Sequence, residues 1–347
     1  MDSLTQTQQI ITFAWWLALG LSLVLYIILD GADLGAGIFS LFVRDEQERG
    51  AIMAAMAGTW DANETWLVVA GGVLFGTFPL VYGSAFHYLL IPLAFALWSI
   101  ITRAVALEFR HHAESSQRFW DRAFGISSLT AVFSAGVAIG AVLKGFPMTS
   151  AGQVPTYVGG ALRFLSPFSV WTGIGAVVAA SLAGGLFVRA RFEPHCPIRS
   201  RAATWVDTTF WLALAAVLVT VIWSVFAFPW ASSKWLGPHA WAWVLLGLVT
   251  VYAVFRMRRA SALGNDLNAI LWLNLTIVLM WGGMMATMFP WLVPGTWTIY
   301  SGASPSVSLF TFTLAMGGFF PVMIMYNWYQ IWVFRARINK LAAYAHH

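Results

Sequence analysis

"GTWDANETWLVVAGGVLFGTF", Gly58 to Phe78, is apolar and helix-length, yet it carries Asp61 and Glu64 one turn apart between Trp60 and Trp66. A carboxylate at the centre of a bilayer costs about 2.5–3.5 kcal/mol, so one that is kept there marks a function or a partner. Whether this stretch lies in a bilayer decides the fold. Of the 347 residues, 59% are hydrophobic and only 10% are charged, with a mean hydropathy of +0.74. Soluble domains carry about 25% charged residues, and so few charges cannot clothe a globule of this length.

Outward from that stretch, apolar runs of about 20 residues recur, the length of a helical crossing. Nine are predicted, at residues 9–29, 51–76, 79–102, 123–143, 168–188, 204–228, 239–255, 267–289 and 307–334, in a single membrane domain over 1–347. The runs are continuous rather than alternating, which favours helices over barrel strands. The fold class is therefore an all-α integral membrane protein. The opening run lacks a basic flank and is long enough to span, so it reads as a crossing rather than a cleaved signal. Pro229, Pro238 and Pro290 mark span ends, Pro321 predicts a kink in the ninth span, and residues 144–167 read as an ordered external loop. Tryptophans near span ends, among them Trp15, Trp16, Trp230, Trp235, Trp291 and Trp297, read as interfacial anchors.

Sixteen of the nineteen Lys and Arg follow spans one, three, five, seven and nine, ending with Arg335, Arg337 and Lys340; only Lys144, Arg163 and Lys234 lie opposite. That bias places the N-terminus outside and the C-terminus in the cytoplasm. It also accounts for the net charge of +5. No basic patch with interleaved aromatics is present, so membrane lipids, not nucleic acid, are the expected surroundings.

On this reading Asp61 lies about 15 Å into span two. It shares a face with Glu64, whereas Asn63 points elsewhere. Two readings stay open: a proton relay or ion site, and hydrogen-bonded glue between helices. "YIILDGADLGAG" ends span one with Asp30 and Asp33, read either as solvated acids at a glycine-rich terminus or as a cytoplasmic proton-collecting mouth. Acids there oppose the helix dipole and need compensation, for which Arg103 is the candidate. Arg103 and Glu108 in "SIITRAVALEFRHH" are too far apart to pair on one face, so each is expected to find a partner elsewhere as a structural anchor. Of seven histidines, only His87 lies inside a span, where a hydrogen-bonded interior role is preferred to that of metal ligand. Cys196 is alone. No haem, metal or other cofactor is expected to be bound by this chain.

The residues resemble a family at this point. "LDGADLGAG", "WDANETWLVVAGGVLFGTFPLVYGSAFHYLLIPL", "TRAVALEFR" and the Phe289–Pro290 pair are similar to subunit II of cytochrome bd-type quinol:oxygen oxidases, the cyanide-insensitive branch included. The resemblance implies a multi-pass protein of the bacterial inner membrane, partnered by a homologous subunit I that holds two b haems, haem d and the ubiquinol-oxidising loop. It allows small single-span accessory subunits. It implies that this chain stabilises subunit I and contributes a cytoplasmic proton path for reducing oxygen to water. Asp61 matches the family's acidic position, whereas Glu64 departs from members with an amide there. The implied path is Asp61, Glu64, Asp30 and Asp33, supported in helix packing by Trp60, Asn63, Trp66, Arg103 and Glu108. Without the resemblance, a secondary transporter using Asp61 and Glu64 as a coupling-ion site is the alternative.

Overall fold

The computed structural model describes residues 5–113, 115–149 and 156–333. Thirteen helices order the chain: α1 (Gln6–Ser40), α2 (Glu46–Met56), α3 (Trp60–Thr77), α4 (Pro79–Tyr88), α5 (Leu90–His112), α6 (Gln117–Lys144), α7 (Pro167–Arg191), α8 (Pro197–Ala227), α9 (Pro229–Trp235), α10 (Ala240–Ala262), α11 (Asp266–Met288), α12 (Ser306–Met316) and α13 (Phe319–Val333). Two short antiparallel pairs, β1–β2 (Met148–Thr149 with Thr156–Tyr157) and β3–β4 (Trp291–Val293 with Trp297–Thr298), tie down loops between helices. The first lies in the connection expected to be an ordered loop, of which residues 150–155 fall outside the described residues.

Among the described residues, eight helical stretches are long and apolar enough to cross a membrane: Gln6–Ser40, Leu90–Arg110, Gln117–Lys144, Pro167–Arg191, Pro197–Ala227, Ala240–Ala262, Asp266–Met288 and Ser306–Gln330. They correspond to eight of the nine expected spans. The second differs. Its expected range, 51–76, is split by a break at Ala57–Thr59 into α2 and an 18-residue α3, whose first turns are too polar to read as a span alone. Gly58 and Thr59 are poor helix formers, and the Thr59 hydroxyl donates to the Met56 carbonyl, competing with the ladder. The freed carbonyls are taken by other helices: Arg191 Nη2 donates to Ala55 at 3.2 Å and Gln330 Nε2 to Gly58 at 3.0 Å. A broken helix is tolerated at membrane depth only with such replacement partners.

Prolines place two further breaks. A proline clashes with the carbonyl four residues before it. Pro92 accordingly interrupts the expected third span at Leu89, and the kink expected at Pro321 is a full break at Gly317–Gly318 that leaves Pro321 in the first turn of α13. Arg335, Arg337, Lys340, His346 and His347 lie outside the described residues.

The first span also overruns its expected end at residue 29. A Thr5–Gln8 capping box starts α1, which continues to Ser40 through the acids and glycines expected to stop it. The glycines permit close approach instead. A Cβ on Gly35 would lie 1.7 Å from the Ala180 carbonyl oxygen on α7, and one on Gly184 would lie 2.0 Å from the Gly35 carbonyl carbon. Backbone meets backbone, so neither position can yield by a side-chain rotation. Gly35→Leu is expected to cost about 3 kcal/mol and to remove folded subunit from size-exclusion profiles. Gly247→Leu, with open space around it, serves as the control and retains the wild-type profile.

α1 is the central post, packed against α3, α6 and α7, with α5, α6, α7 and α8 following one another around it and α10 pairing with α11. Trp15 and Trp16 are buried in this core, and Trp15 Nε1 donates to Thr313 Oγ1 at 2.9 Å.

Candidate functional site

Helix periodicity decides which polar groups meet. On α3, Asn63, Trp66, Ala70, Val73 and Thr77 form one buried stripe, each three or four residues from the last. On α5, Ala96, Ile100, Arg103, Ala106 and Leu107 do the same, as do Asp30, Asp33 and Gly37 on α1. The three stripes converge, and their polar members meet one another there.

Arg103 is 1% exposed, and its Nη2 donates to Asp30 Oδ1 at 2.7 Å and to Glu64 Oε2 at 3.1 Å. The side chain of Asp30 is 0% exposed and that of Glu64 21%. Asn63 Nδ2 donates to Asp33 Oδ2 at 2.8 Å, and Asp33 also feels the Arg191 guanidinium. Tyr26 lies one turn before Asp30 on α1, close enough for its hydroxyl to interact with that carboxylate. Two carboxyl groups, one each from α1 and α3, are thus held by one arginine from α5, and Asn63 holds Asp33 beside them.

Asp30 and Asp33 are therefore buried, not solvated acids at a helix end, and the compensation expected from Arg103 is a direct ion pair. Asn63 does point away from Asp61, but towards Asp33, which makes it part of the cluster rather than a bystander. Asp61 is not deep in a continuous helix: it sits in the first turn of α3, just after the break, and is exposed. There it complements the helix dipole and lies close enough to Glu64 for their charges to repel. Glu108 is exposed and outside the cluster, five residues past Arg103 and off the buried stripe. Trp60 packs on the core formed by α2, while Trp66 is buried with its ring 6.0 Å from that of Phe320. His87 is not interior. The break at Leu89 leaves it exposed in the last turn of α4, its ring 5.1 Å from Tyr157.

Other buried charges were not legible as a site. Asp121 on α6 takes Arg49 Nε at 2.8 Å and Arg110 Nε, while Asp266 on α11 takes Arg189 and Arg199. Glu48 pairs with Arg201; burial raises its carboxyl above the usual range and the arginine opposes the shift. These pairs use arginines that follow span ends, so charges counted for orientation also bolt helix ends together. Asp121→Asn would leave two guanidinium groups without their shared counter-ion, a loss of about 3–5 kcal/mol, expected as a lowered unfolding temperature of the purified protein.

Among the described residues, no three His, Cys, Asp or Glu side chains are grouped to hold a metal ion. Residues 11–334 match the family described as cytochrome bd terminal oxidase subunit II. The chain belongs to this family. Similar proteins include cytochrome bd-I ubiquinol oxidase subunit 2 of Escherichia coli K12, 27% identical over 368 aligned positions and covering 96% of each chain. Cytochrome bd ubiquinol oxidase subunit 2 of Bacillus subtilis is 26% identical over 180 positions, 51% of this chain and 52% of the relative. The structure of bd oxidase from Geobacillus thermodenitrificans contains a chain of the same fold, with a TM-score of 0.74 and 19% identity, covering 94% of this chain and 97% of that one. A cytochrome bd subunit II is a multi-pass bacterial membrane protein and part of a respiratory quinol oxidase, an oxidoreductase complex containing haem, and it implies a subunit I. Family membership favours the oxidase over the transporter reading.

Proposed function

We propose that this chain is the haem-free subunit of a bd-type ubiquinol:oxygen oxidoreductase, stabilising subunit I and passing cytoplasmic protons towards oxygen reduction. The redox centres, two b haems and haem d, belong to subunit I in this reading. The chain crosses the inner membrane nine times, α3 providing the crossing too polar to stand alone, with the N-terminus outside.

One observation carries the proton route: the outward stripe of α3. Asp61, Glu64, Val68 and Phe75 recur at helical spacing, and Asp61, Val68 and Phe75 are exposed in this chain while Glu64 is partly so. Facing lipid, the two carboxyls would be costly; facing a second subunit through a hydrated contact, they are usable. Exposed Trp328 and Tyr329 lie on α13, which Gln330 joins to the break beside Asp61. We assign this surface to subunit I. Asp61 receives protons from the cytoplasmic side and Glu64 relays them. Asp30, Asp33, Asn63 and Arg103 fix the position and charge of Glu64.

Gentle purification followed by a reduced-minus-oxidised spectrum tests the assignment. Haem bands are expected with a second polypeptide and, after dissociation, on that polypeptide alone. Haem retained by this chain, or a colourless homo-oligomer from native membrane, is the contrary result.

A further inference from the structure

A second arrangement of charge lies apart from the α1–α3–α5 network, in the groove between α10 and α11. Leu245, Val249, Tyr252, Arg256 and Arg259 follow one another by three or four residues along α10, a single stripe with two arginines at its end. Leu245, Val249 and Tyr252 are exposed hydrophobics, and Arg259 is exposed. Arg256 is held in place: its Nη1 donates to the Tyr252 hydroxyl at 2.7 Å, and its Cζ lies 4.9 Å from the Trp272 ring of α11 and 5.7 Å from that of Tyr252. The two rings meet edge to face at 5.8 Å. On α11, exposed Asn268 and Leu275 flank Trp272 at the same helical spacing.

Most arginines at these helix ends are neutralised. Neighbouring Arg258 pairs with Asp207, and Arg189 and Arg199 share Asp266. Among the described residues no carboxylate pairs with Arg256 or Arg259. A guanidinium fixed by two aromatic faces and left without a counter-ion is a preorganised anion site, and the lane below it is apolar over several helical turns. A guanidinium held in place, with a second exposed arginine one turn on, beside an apolar stripe near the end of a membrane-crossing helix, complements one class of molecule, an anionic phospholipid.

We propose that the α10–α11 groove binds one anionic phospholipid, its phosphate on Arg256 and Arg259 and its acyl chain along Tyr252, Val249 and Leu275. This rests on the membrane setting and not on the proton route, so the two stand or fall separately.

Native mass spectrometry of the purified complex, titrated with phosphatidylglycerol or with phosphatidylcholine of the same acyl chains, tests it. The complex is expected to hold one phosphatidylglycerol at least fivefold more tightly than phosphatidylcholine. R256Q/R259Q is expected to lose that preference, while R118Q, which removes an exposed but Glu46-paired arginine, is expected to keep it. Millimolar inorganic phosphate, lacking acyl chains, is expected not to compete. If the double variant fails to assemble, Arg256→Lys keeps the charge without the planar stacking and is expected to weaken retention. Equal retention of both lipids, an unchanged preference in R256Q/R259Q or Arg256→Lys, an equal loss in R118Q, or displacement by phosphate would overturn the assignment.

Discussion

Arg103→Met is expected to abolish the assembled oxidase: no haem spectrum in membranes and no second polypeptide co-purifying with this chain. Arg103 is 1% exposed and its Nη2 serves Asp30 and Glu64 together, on two other helices. Removing one partner of a buried ion pair costs about 3–5 kcal/mol because the remaining charge is stranded. Here two carboxyls lose their guanidinium at once, comparable with the whole net stability of many proteins. Arg103→Lys is expected to rescue only part of the assembly, since an ammonium is a compact point charge without the planar fork of donors. Removing the charges together discriminates electrostatics from packing. R103M/D30N/E64Q is expected to recover substantial assembly, because replacing a buried ionic group as a unit is often close to neutral. Full assembly of Arg103→Met alone would show that the arginine does not hold the three helices.

Asp61→Asn and Glu64→Gln are expected to behave oppositely, keeping haem content and partner while oxygen consumption falls by at least about tenfold. A proton relay needs a group that both takes and gives the proton, which an amide cannot replace; general acid–base groups are commonly worth about 10²–10⁴-fold. Neither side chain is deeply buried, so assembly should survive. Glu64→Gln can still accept a hydrogen bond from Arg103, which separates positioning from proton transfer. Asp33→Asn is expected to be milder, because its carboxyl is turned towards Asn63 and Arg191 rather than outwards. Oxygen consumption at the wild-type rate in assembled Asp61→Asn and Glu64→Gln oxidases would take these residues out of the route.

Much of the cluster was legible as residue types but not as geometry. Asp30, Asp33, Glu64 and Arg103 stand out because charge is rare in this chain. Arg103 could be read as core-facing, since Ala96, Ile100, Ala106 and Leu107 share its stripe. Asn63 points away from Asp61, as its helical spacing implies, but its partner was not legible: the informative comparison is with Trp66, Ala70 and Val73, the apolar stripe it heads. The place of Asp61 in the first turn of a helix was not legible, because hydropathy runs straight across Ala57–Thr59. The break there is held by Arg191 and Gln330, which lie far along the chain and send no local signal. The prolines at 92 and 321 did carry a signal, but they mark where a helix must yield and not whether it bends or parts. Asp121 and Asp266 sit beside helix starts, where solvated acids are common, and only the fold shows their paired arginines.

Proton uptake during a single turnover tests the proposed route most directly. The reduced complex, sealed in vesicles with a pH indicator on the side facing the cytoplasmic ends of the helices, is mixed with oxygen, and uptake and haem oxidation are followed together. In assembled Asp61→Asn, the route requires uptake at least about tenfold slower than wild type, with the first electron transfer to oxygen unchanged. Uptake from that side at the wild-type rate would contradict it.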